Sequence, residues 1–479
     1  MTAHDTARGL LRSSAAATLA QLVRMSALLA THIVVRRFVG PATWGLWDWV
    51  QTVFLVLAAL RDLGVPSQVV RLRPMPIGGL LRVEAGWGGA LALAVAAAAP
   101  LVAGLMAEPS PETVAVVRAL TIFLLLEGLT AVALAWFEAN LRIERTLAPE
   151  LARTAVYCAL VLGGGMAGWG VWSFVAGQIG GQAVLCGWLW LRARGDGIEL
   201  TPAAQGTRPL VRESLPLGVV WGLALAVTYV DPFLLGLLFP REAVGLYTFA
   251  YFLAFLVFRI LQQPIGRALY PAFFAYRDDP ARQFDAYRHA TSLFLALEAP
   301  AALFLALNAD RVVWLLGGDK YEGSARYLML LAFAPLVDPL GRFGGEYLIA
   351  RHLDRARVLS LALHLAALVV GGVLLCRWLG PIGMAWANFL PAGAPVVAWA
   401  LWRTARGRLG RLARDLVEAY LAPALPFAAA WALSAPGGWA RFALSIVAGL
   451  LCVAWLWRRR GDELLRFFRP ADLPATPAQ

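Results

Sequence analysis

The sequence predicts an all-α polytopic membrane protein of about fourteen transmembrane helices, and three observations carry that expectation. Of 479 residues, 60% are hydrophobic and only 15% are charged, whereas soluble proteins carry about 25% charged and about 45–50% apolar residues. The mean hydropathy is +0.66. Apolar stretches of about 20 residues, the length that crosses a bilayer as a helix, recur from Ser14 to Trp457. A soluble chain of this length would split into domains joined by polar linkers, and no such linker is visible. A soluble enzyme, a secreted disulfide scaffold and a disordered chain are therefore excluded.

In chain order the predicted spans are 14–35, 43–63, 86–107, 114–137, 148–168, 171–191, 212–238 and 243–264, then 289–308, 325–349, 357–378, 382–402, 418–435 and 439–457. Breaks fall at helix-stopping residues: Gly40-Pro41, Pro109-Ser110-Pro111, Phe239-Pro240, Gly317-Gly318-Asp319 and Pro436-Gly437-Gly438. Gly163-Gly164-Gly165 and Gly371-Gly372 suit close helix contact, because small residues let transmembrane backbones approach. The first apolar run follows Arg8 and Arg12, is too long for a signal-peptide core and reads as a span.

The basic residues fix an expected orientation. All 42 are arginine except Lys320. With the N-terminus inside, about 29 of them fall on the cytoplasmic side, Arg61 included, against about 8 outside, among them Arg36 and Arg241. Both termini are thus expected in the cytoplasm. The net charge of +12 is a topology signal rather than a nucleic-acid surface. Cys158, Cys186, Cys376 and Cys452 lie unpaired in apolar runs and read as packing. The five histidines do not cluster, so no metal site and no cofactor is expected.

The chain also repeats itself. Gly40-Pro41-Ala42-Thr43-Trp44-Gly45-Leu46-Trp47 opens the second span, and Phe239-Pro240-Arg241-Glu242-Ala243-Val244-Gly245-Leu246-Tyr247 opens the eighth. Gly168 to Trp172 before the sixth span pairs with Gly380 to Trp386 before the twelfth. Each pair enters from the same side, which implies parallel repeats of six helices around a central cavity plus two C-terminal helices. The expected division is 1–200, 201–405 and 406–479, the last beginning with a cytoplasmic amphipathic segment from about Arg403 to Arg414 that meets anionic lipid.

These motifs resemble a family. The opening Gly40-Pro41 to Trp47, the run Asp231-Pro232-Phe233-Leu234-Leu235-Gly236 to Tyr247-Thr248-Phe249-Ala250, and Pro264 with Arg267 to Phe273 are similar to polysaccharide-biosynthesis flippases of the O-antigen and exopolysaccharide type. Leu315-Leu316-Gly317 with Tyr321, and Gly380 to Ala385, match later signatures of the same group, which sits in the multidrug/oligosaccharidyl-lipid/polysaccharide exporter superfamily. The resemblance spans about residues 10–405; the last two helices depart from twelve-helix members. It implies a non-enzymatic protein of the bacterial inner membrane that moves an undecaprenyl-diphosphate-linked oligosaccharide from the cytoplasmic to the outer leaflet for cell-surface polysaccharide such as lipopolysaccharide or exopolysaccharide. Implied partners are that lipid-linked glycan, the bilayer, and the polysaccharide polymerase and chain-length machinery, with no nucleic acid.

Charges inside spans mark candidate sites, since each costs about 2.5–3.5 kcal/mol at a helix centre unless it finds a partner or a cavity. Arg24, Arg259 and Arg342 are candidates for the diphosphate, because a guanidinium fork matches phosphate oxygens. Arg24 could instead pair with an acid such as Glu127 or Glu298, and Arg259 could snorkel. Glu127, Asp231, Glu298 and Asp338 are candidate cavity acids or ion-coupling residues, with Asp231 alternatively a cap before Pro232. Asp338, Arg342 and Glu346 would stack on one helix face and bridge one another. Trp44, Trp47, Trp49, Trp188, Trp190, Trp455 and Trp457 lie near span ends and are expected in interfacial belts. The competing expectations are a lipid II flippase, a cation-coupled multidrug exporter and a membrane-embedded polymerase or ligase, which would need a larger outer loop than Ala309 to Ser324.

Overall fold

A computed structural model describes residues 20–62, 76–140, 142–200, 208–276, 279–337, 339–404, 408–434 and 438–468. Arg8, Arg12, Arg71, Arg73, Asp278, Asp338, Arg406 and the Pro436-Gly437 break lie outside them, as does the side chain of Arg342. Among the described residues every regular element is helical. The chain divides into two compact units, Met1–Gly245 and Leu246–Gln479. The division falls inside a helix that begins at Arg241.

The first unit contains α1 (Ala20–Val35), α2 (Pro41–Asp62), α3 (Ile77–Gly104), α4 (Pro111–Ala139), α5 (Leu147–Met166), α6 (Val171–Gly195), α7 (Arg208–Leu238) and the start of α8 (Arg241–Ala275). Local chemistry sets the ends. Pro111 occupies the first turn of α4, where no amide donor is needed, and Ser110 Oγ accepts from Thr113 N at 3.2 Å. Gly168 and Gly170, both with positive φ, turn the chain between α5 and α6. α5 packs on α6, α4 on α3 and α6, and α2 on α7. The α5–α6 contact is close because small residues line it: a Cβ on Gly177 would come within 2.7 Å of Val161, and one on Gly164 within 2.8 Å of Ser173. Gly163 of the same triplet faces open space.

The repeated motifs meet inside this unit. A side chain on Gly45 would strike the Arg241 carbonyl oxygen and come within 2.7 Å of Gly245 N. One on Gly245 would strike the Pro41 carbonyl oxygen and come within 3.0 Å of Gly45 N. Positions 41 and 45 therefore face positions 241 and 245 reciprocally, as related copies of one motif would. Trp49 seals the flank. Its ring stacks on Phe233, 5.9 Å between centroids, its indole N–H donates to Phe233 O at 3.2 Å, and it lies against Gly236. Arg241 donates to Glu108 O at 3.0 Å and to Thr113 Oγ1 at 3.3 Å.

This packing corrects the tryptophan expectation. Trp44, Trp47 and Trp49 are buried in the core, not in a belt. Trp47 stacks on Phe174 and Trp44 meets the same ring edge-on, so one phenylalanine of α6 anchors two indoles of α2. Trp188, Trp455 and Trp457 are exposed. Arg36, in the turn between α1 and α2, is likewise buried: its guanidinium lies 3.9 Å over the Trp44 ring and donates to His32 O at 2.9 Å.

The second unit continues α8 and adds α9 (Pro280–Leu307), α10 (Ala309–Gly317), α11 (Ala325–Leu331), α12 (Ala334–Val337), α13 (Pro339–Ala350), α14 (Asp354–Leu379), α15 (Ile382–Ala387), α16 (Ala394–Thr404), α17 (Leu409–Ala432) and α18 (Trp439–Phe468). The expected tenth and twelfth spans are thus interrupted. Pro335, just after the turn at Ala332-Phe333, interrupts the first, and Pro391 with Gly393 the second, because proline removes an amide donor and crowds the preceding turn. Of the Asp338, Arg342, Glu346 ladder, Asp338 and the Arg342 side chain lie outside the described residues. Asp279 caps α9 by accepting from Ala281 N and Arg282 N, both at 3.0 Å. α9 packs on α17 and α18. The arginine-rich stretch before and within α17 docks on protein, with Arg408 and Arg411 3.7 and 4.0 Å from Asp285 of α9, and Arg288 paired with Asp415.

Seven helices are long and apolar enough to cross a membrane among the described residues, and with the apolar composition they make this a multi-pass membrane protein. α2 and α5 are not among them. They carry Asp48 and Arg61, and Glu150 and Arg153, respectively.

Candidate functional site: a charged pocket in the first unit

Arg61 sits one residue from the end of α2 and is 4% exposed. Expected in a cytoplasmic loop, it turns inward instead. Its Nε lies 3.3 Å from Glu84 Oε2 on α3, and its Nη1 lies 3.5 Å from Glu127 Oε2 on α4 and donates to Leu124 O at 3.1 Å. Glycines make the slot. A Cβ on Gly88 would stand 3.3 Å from the Arg61 Cγ, and one on Gly128 would stand 2.9 Å from Glu84 Oε2. A side chain at either position would crowd the Arg61–Glu84 pair between α3 and α4.

Two neighbouring helices extend the cluster. α5 begins after a 3-10 turn at Ile143–Thr146 and carries Glu150 and Arg153 in its first two turns. Glu150 pairs with Arg24 of α1, each side chain partly exposed. On α6, Gln182 is 2% exposed and its amide Nε2 donates to Thr130 Oγ1 at 2.9 Å. Thr130 in turn donates to Leu126 O at 2.7 Å.

These side chains surround a pocket of about 310 Å³ lined by Arg61, Glu127, Thr130, Glu138, Arg153 and Gln182, with Ala131, Leu134, Ala135 and Leu185 completing the wall. Charges in such a place are stable only as pairs or beside water. Glu127 does both, reaching Arg61 while remaining about one-third exposed. The arrangement offers hydrogen-bond donors from guanidiniums and acceptors from carboxylates within one hollow, which suits a polar, multiply hydroxylated or anionic group.

The candidates read from sequence separate into groups. Arg24 and Glu127 belong to this cluster, Arg24 through Glu150 rather than through Glu127 or Glu298. Asp231 is buried on α7, and Glu298 is buried on α9 in the second unit. Arg259 is exposed on α8. Asp338 and the Arg342 side chain lie outside the described residues. Sequence reasoning missed Arg61, Glu84, Glu138, Glu150 and Gln182. The signal for Glu84 was available, since α3 begins nine residues before the expected start of the third span and so takes Glu84 into the helix.

A second hollow, about 550 Å³, lies among α9, α17 and α18 in the second unit. Its wall is chiefly apolar, including Pro300, Pro423, Pro426, Leu425 and Leu451, and its charged members are Glu418 and Arg459, paired at 2.8 Å.

No curated protein matches the sequence. The fold is shared with solved transporters. Lipid II flippase MurJ in an inward closed conformation is similar with a TM-score of 0.72 at 12% identity, over 94% of this chain and 99% of that one. An inward-facing multidrug resistance MATE family transporter of the MOP superfamily is similar with a TM-score of 0.65 at 15% identity, over 82% of this chain and 96% of that one. A MOP superfamily transporter from Pyrococcus furiosus is similar with a TM-score of 0.55 at 15% identity, over 82% of this chain and 94% of that one. Identities this low carry the fold alone. The family described as polysaccharide biosynthesis protein matches residues 34–326, well over half of the chain. A multi-pass helical chain of this fold, with paired charges held inside its first unit, belongs to that polysaccharide biosynthesis protein family.

Proposed function

We propose that this protein is a flippase that carries a polyprenyl-diphosphate-linked oligosaccharide from the cytoplasmic to the outer leaflet of a bacterial inner membrane, by alternating access, in the assembly of a cell-surface polysaccharide. The observation that carries the reading is the charged pocket of the first unit, in a chain of the polysaccharide biosynthesis family. The task needs such a place. A sugar–diphosphate head must cross about 30 Å of hydrocarbon while its prenyl tail stays in the bilayer. A polar hollow between helices replaces the water the head loses.

Arg24 is the first contact for the diphosphate. It is partly exposed and its partner Glu150 is equally so, so phosphate oxygens can take the place of the carboxylate. Arg259, exposed on α8, and Arg342 are further phosphate contacts, and Glu127, Asp231, Glu298 and Asp338 serve as cavity acids or coupling groups. The pocket lies near the helix ends that also carry Arg142, Arg145, Arg192 and Arg194, the side assigned to the cytoplasm by charge bias, where a lipid-linked precursor is made. Membrane potential supplies part of the drive. A diphosphate carrying about −2 that moves outward gains roughly 4–5 kcal/mol per 100 mV if the charge crosses uncompensated.

The test is transport of a fluorescent polyprenyl-diphosphate-linked saccharide in vesicles containing the protein. Outward movement should follow an imposed potential and fall at least tenfold in Arg24→Ala. Deleting the gene should leave lipid-linked saccharide on the cytoplasmic leaflet. Absence of transport, with complementation of a lipid II flippase-null strain, would replace this reading with the peptidoglycan precursor.

A further inference from the structure

The flippase reading leaves open which part of the headgroup meets the pocket around Gln182. We propose that this pocket is a carbohydrate subsite, taking one pyranose ring of the lipid-linked substrate by its hydroxyls. The inference rests on the flippase reading and refines it.

Thr130 donates its hydroxyl hydrogen to Leu126 O and can therefore only accept from Gln182. That fixes the amide nitrogen on Thr130 and leaves Gln182 Oε1 as the other end. This oxygen is buried and has no hydrogen-bond partner among the described residues. It belongs to a residue that lines the pocket. A buried acceptor with a fixed orientation needs a donor, which a hydroxyl entering the pocket can supply.

Charge then narrows the ligand. Arg24, Arg61 and Arg153 stand against Glu84, Glu127, Glu138 and Glu150, so the cluster carries one more formal negative than positive charge. Arg61 is already engaged by two carboxylates. A phosphate dianion at Gln182 would meet an acceptor oxygen and the carboxylates of Glu127 and Glu138. A cation would meet the guanidiniums of Arg61 and Arg153. A hydroxyl satisfies both kinds of wall, donating to Gln182 Oε1 or a carboxylate while accepting from a guanidinium.

Size and shape agree. A volume of about 310 Å³ lies at the lower end of the range of about 300–1,000 Å³ for small-molecule pockets, which suits one sugar ring rather than an oligosaccharide. Leu134 and Leu185 supply an apolar patch for the C–H face of the ring. Glu138 is exposed, so the hollow has an open mouth.

The experiment measures binding to the full chain in nanodiscs by tryptophan fluorescence. The probes are a polyprenyl diphosphate without sugar and the same lipid bearing one glucose, galactose or N-acetylglucosamine. The wild type should prefer at least one sugar-bearing lipid about tenfold, and Gln182→Leu should bring that ratio toward one. Should Gln182→Leu not fold, Glu138→Gln at the mouth reads the same ratio and should lower it. A wild-type ratio of one for all three sugars overturns the subsite but not the flippase. A ratio that survives both Gln182→Leu and Glu138→Gln also overturns the subsite alone. If the wild type binds no probe and transports none, the flippase reading falls with it.

Discussion

The hollow of the first unit and the hollow of the second are made from the same helical material and differ in what opens them. Around Arg61 the helices are held close, and absent side chains at Gly88 and Gly128 create room for a charged group. Around Pro423 and Pro426 the space is larger, about 550 Å³ against about 310 Å³, and is walled mainly by hydrocarbon. In the first, the ion pair is sealed inside, with side-chain exposures of 4% for Arg61 and 0% for Glu84. In the second, the pair lies open, with Arg459 56% and Glu418 26% exposed. The lesson is that volume does not locate chemistry. The smaller hollow is the one that holds its charges in place.

The largest effect should follow from opening the sealed pair. Arg61→Met leaves Glu84 without its guanidinium in a site closed to solvent, and such a break costs about 3–5 kcal/mol. Thermal unfolding in detergent should show a marked drop. The double variant Arg61→Met with Glu84→Leu should recover much of it, because it removes the stranded charge as well. Equal stability of Arg61→Met and wild type would show that Glu84 is neutral or hydrated, and the comparison of the two hollows would collapse.

Next comes the junction at which the motifs meet. Gly45→Val places two methyls where the Arg241 carbonyl stands, and backbone cannot swing aside as a flexible side chain does. Overpacking of this kind costs about 1–3 kcal/mol. If the junction must part and re-form during transport, Gly45→Val should also slow transport more than tenfold, and Gly245→Val should do the same because the contact is reciprocal. A variant that loses stability but transports normally would reduce the junction to packing.

Much of this architecture was legible in the sequence, for physical reasons. Twenty-residue apolar runs and their Gly-Pro breaks sufficed for the helices, since backbone in a membrane must satisfy its own hydrogen bonds. The repeat was legible too, and Gly45 and Gly245 mark where its two motifs touch. The candidate site was legible only in part. Arg24 and Glu127 stood out as charges in apolar runs, whereas Arg61 lay at a helix end and had the same sequence appearance as the loop arginines that set topology. Whether an arginine at a helix end turns inward depends on what faces it, here Gly88 and Gly128 on two other helices. Trp44, Trp47 and Trp49 failed for the same reason. Position near a span end suggests the interface, but Phe174 and Phe233 on other helices draw those rings into the core. Gln182, uncharged and in mid-helix, gave no sign.

The smallest effect tests the other side of the comparison. Glu418→Gln removes a carboxylate from Arg459 at the rim of the apolar hollow, where water replaces the lost partner. Partly exposed pairs of this type contribute about 0–1 kcal/mol, so unfolding should shift little, and added salt should shrink the difference further. The Arg459 guanidinium also lies 5.3 Å from the Trp455 ring centroid, a contact that persists without Glu418 and tends to hold the arginine where it is. A loss as large as that of Arg61→Met would mean that the second hollow is sealed in the membrane and its pair as consequential as the first. Its apolar wall would then be the floor of a second buried charge site rather than a lipid-facing surface.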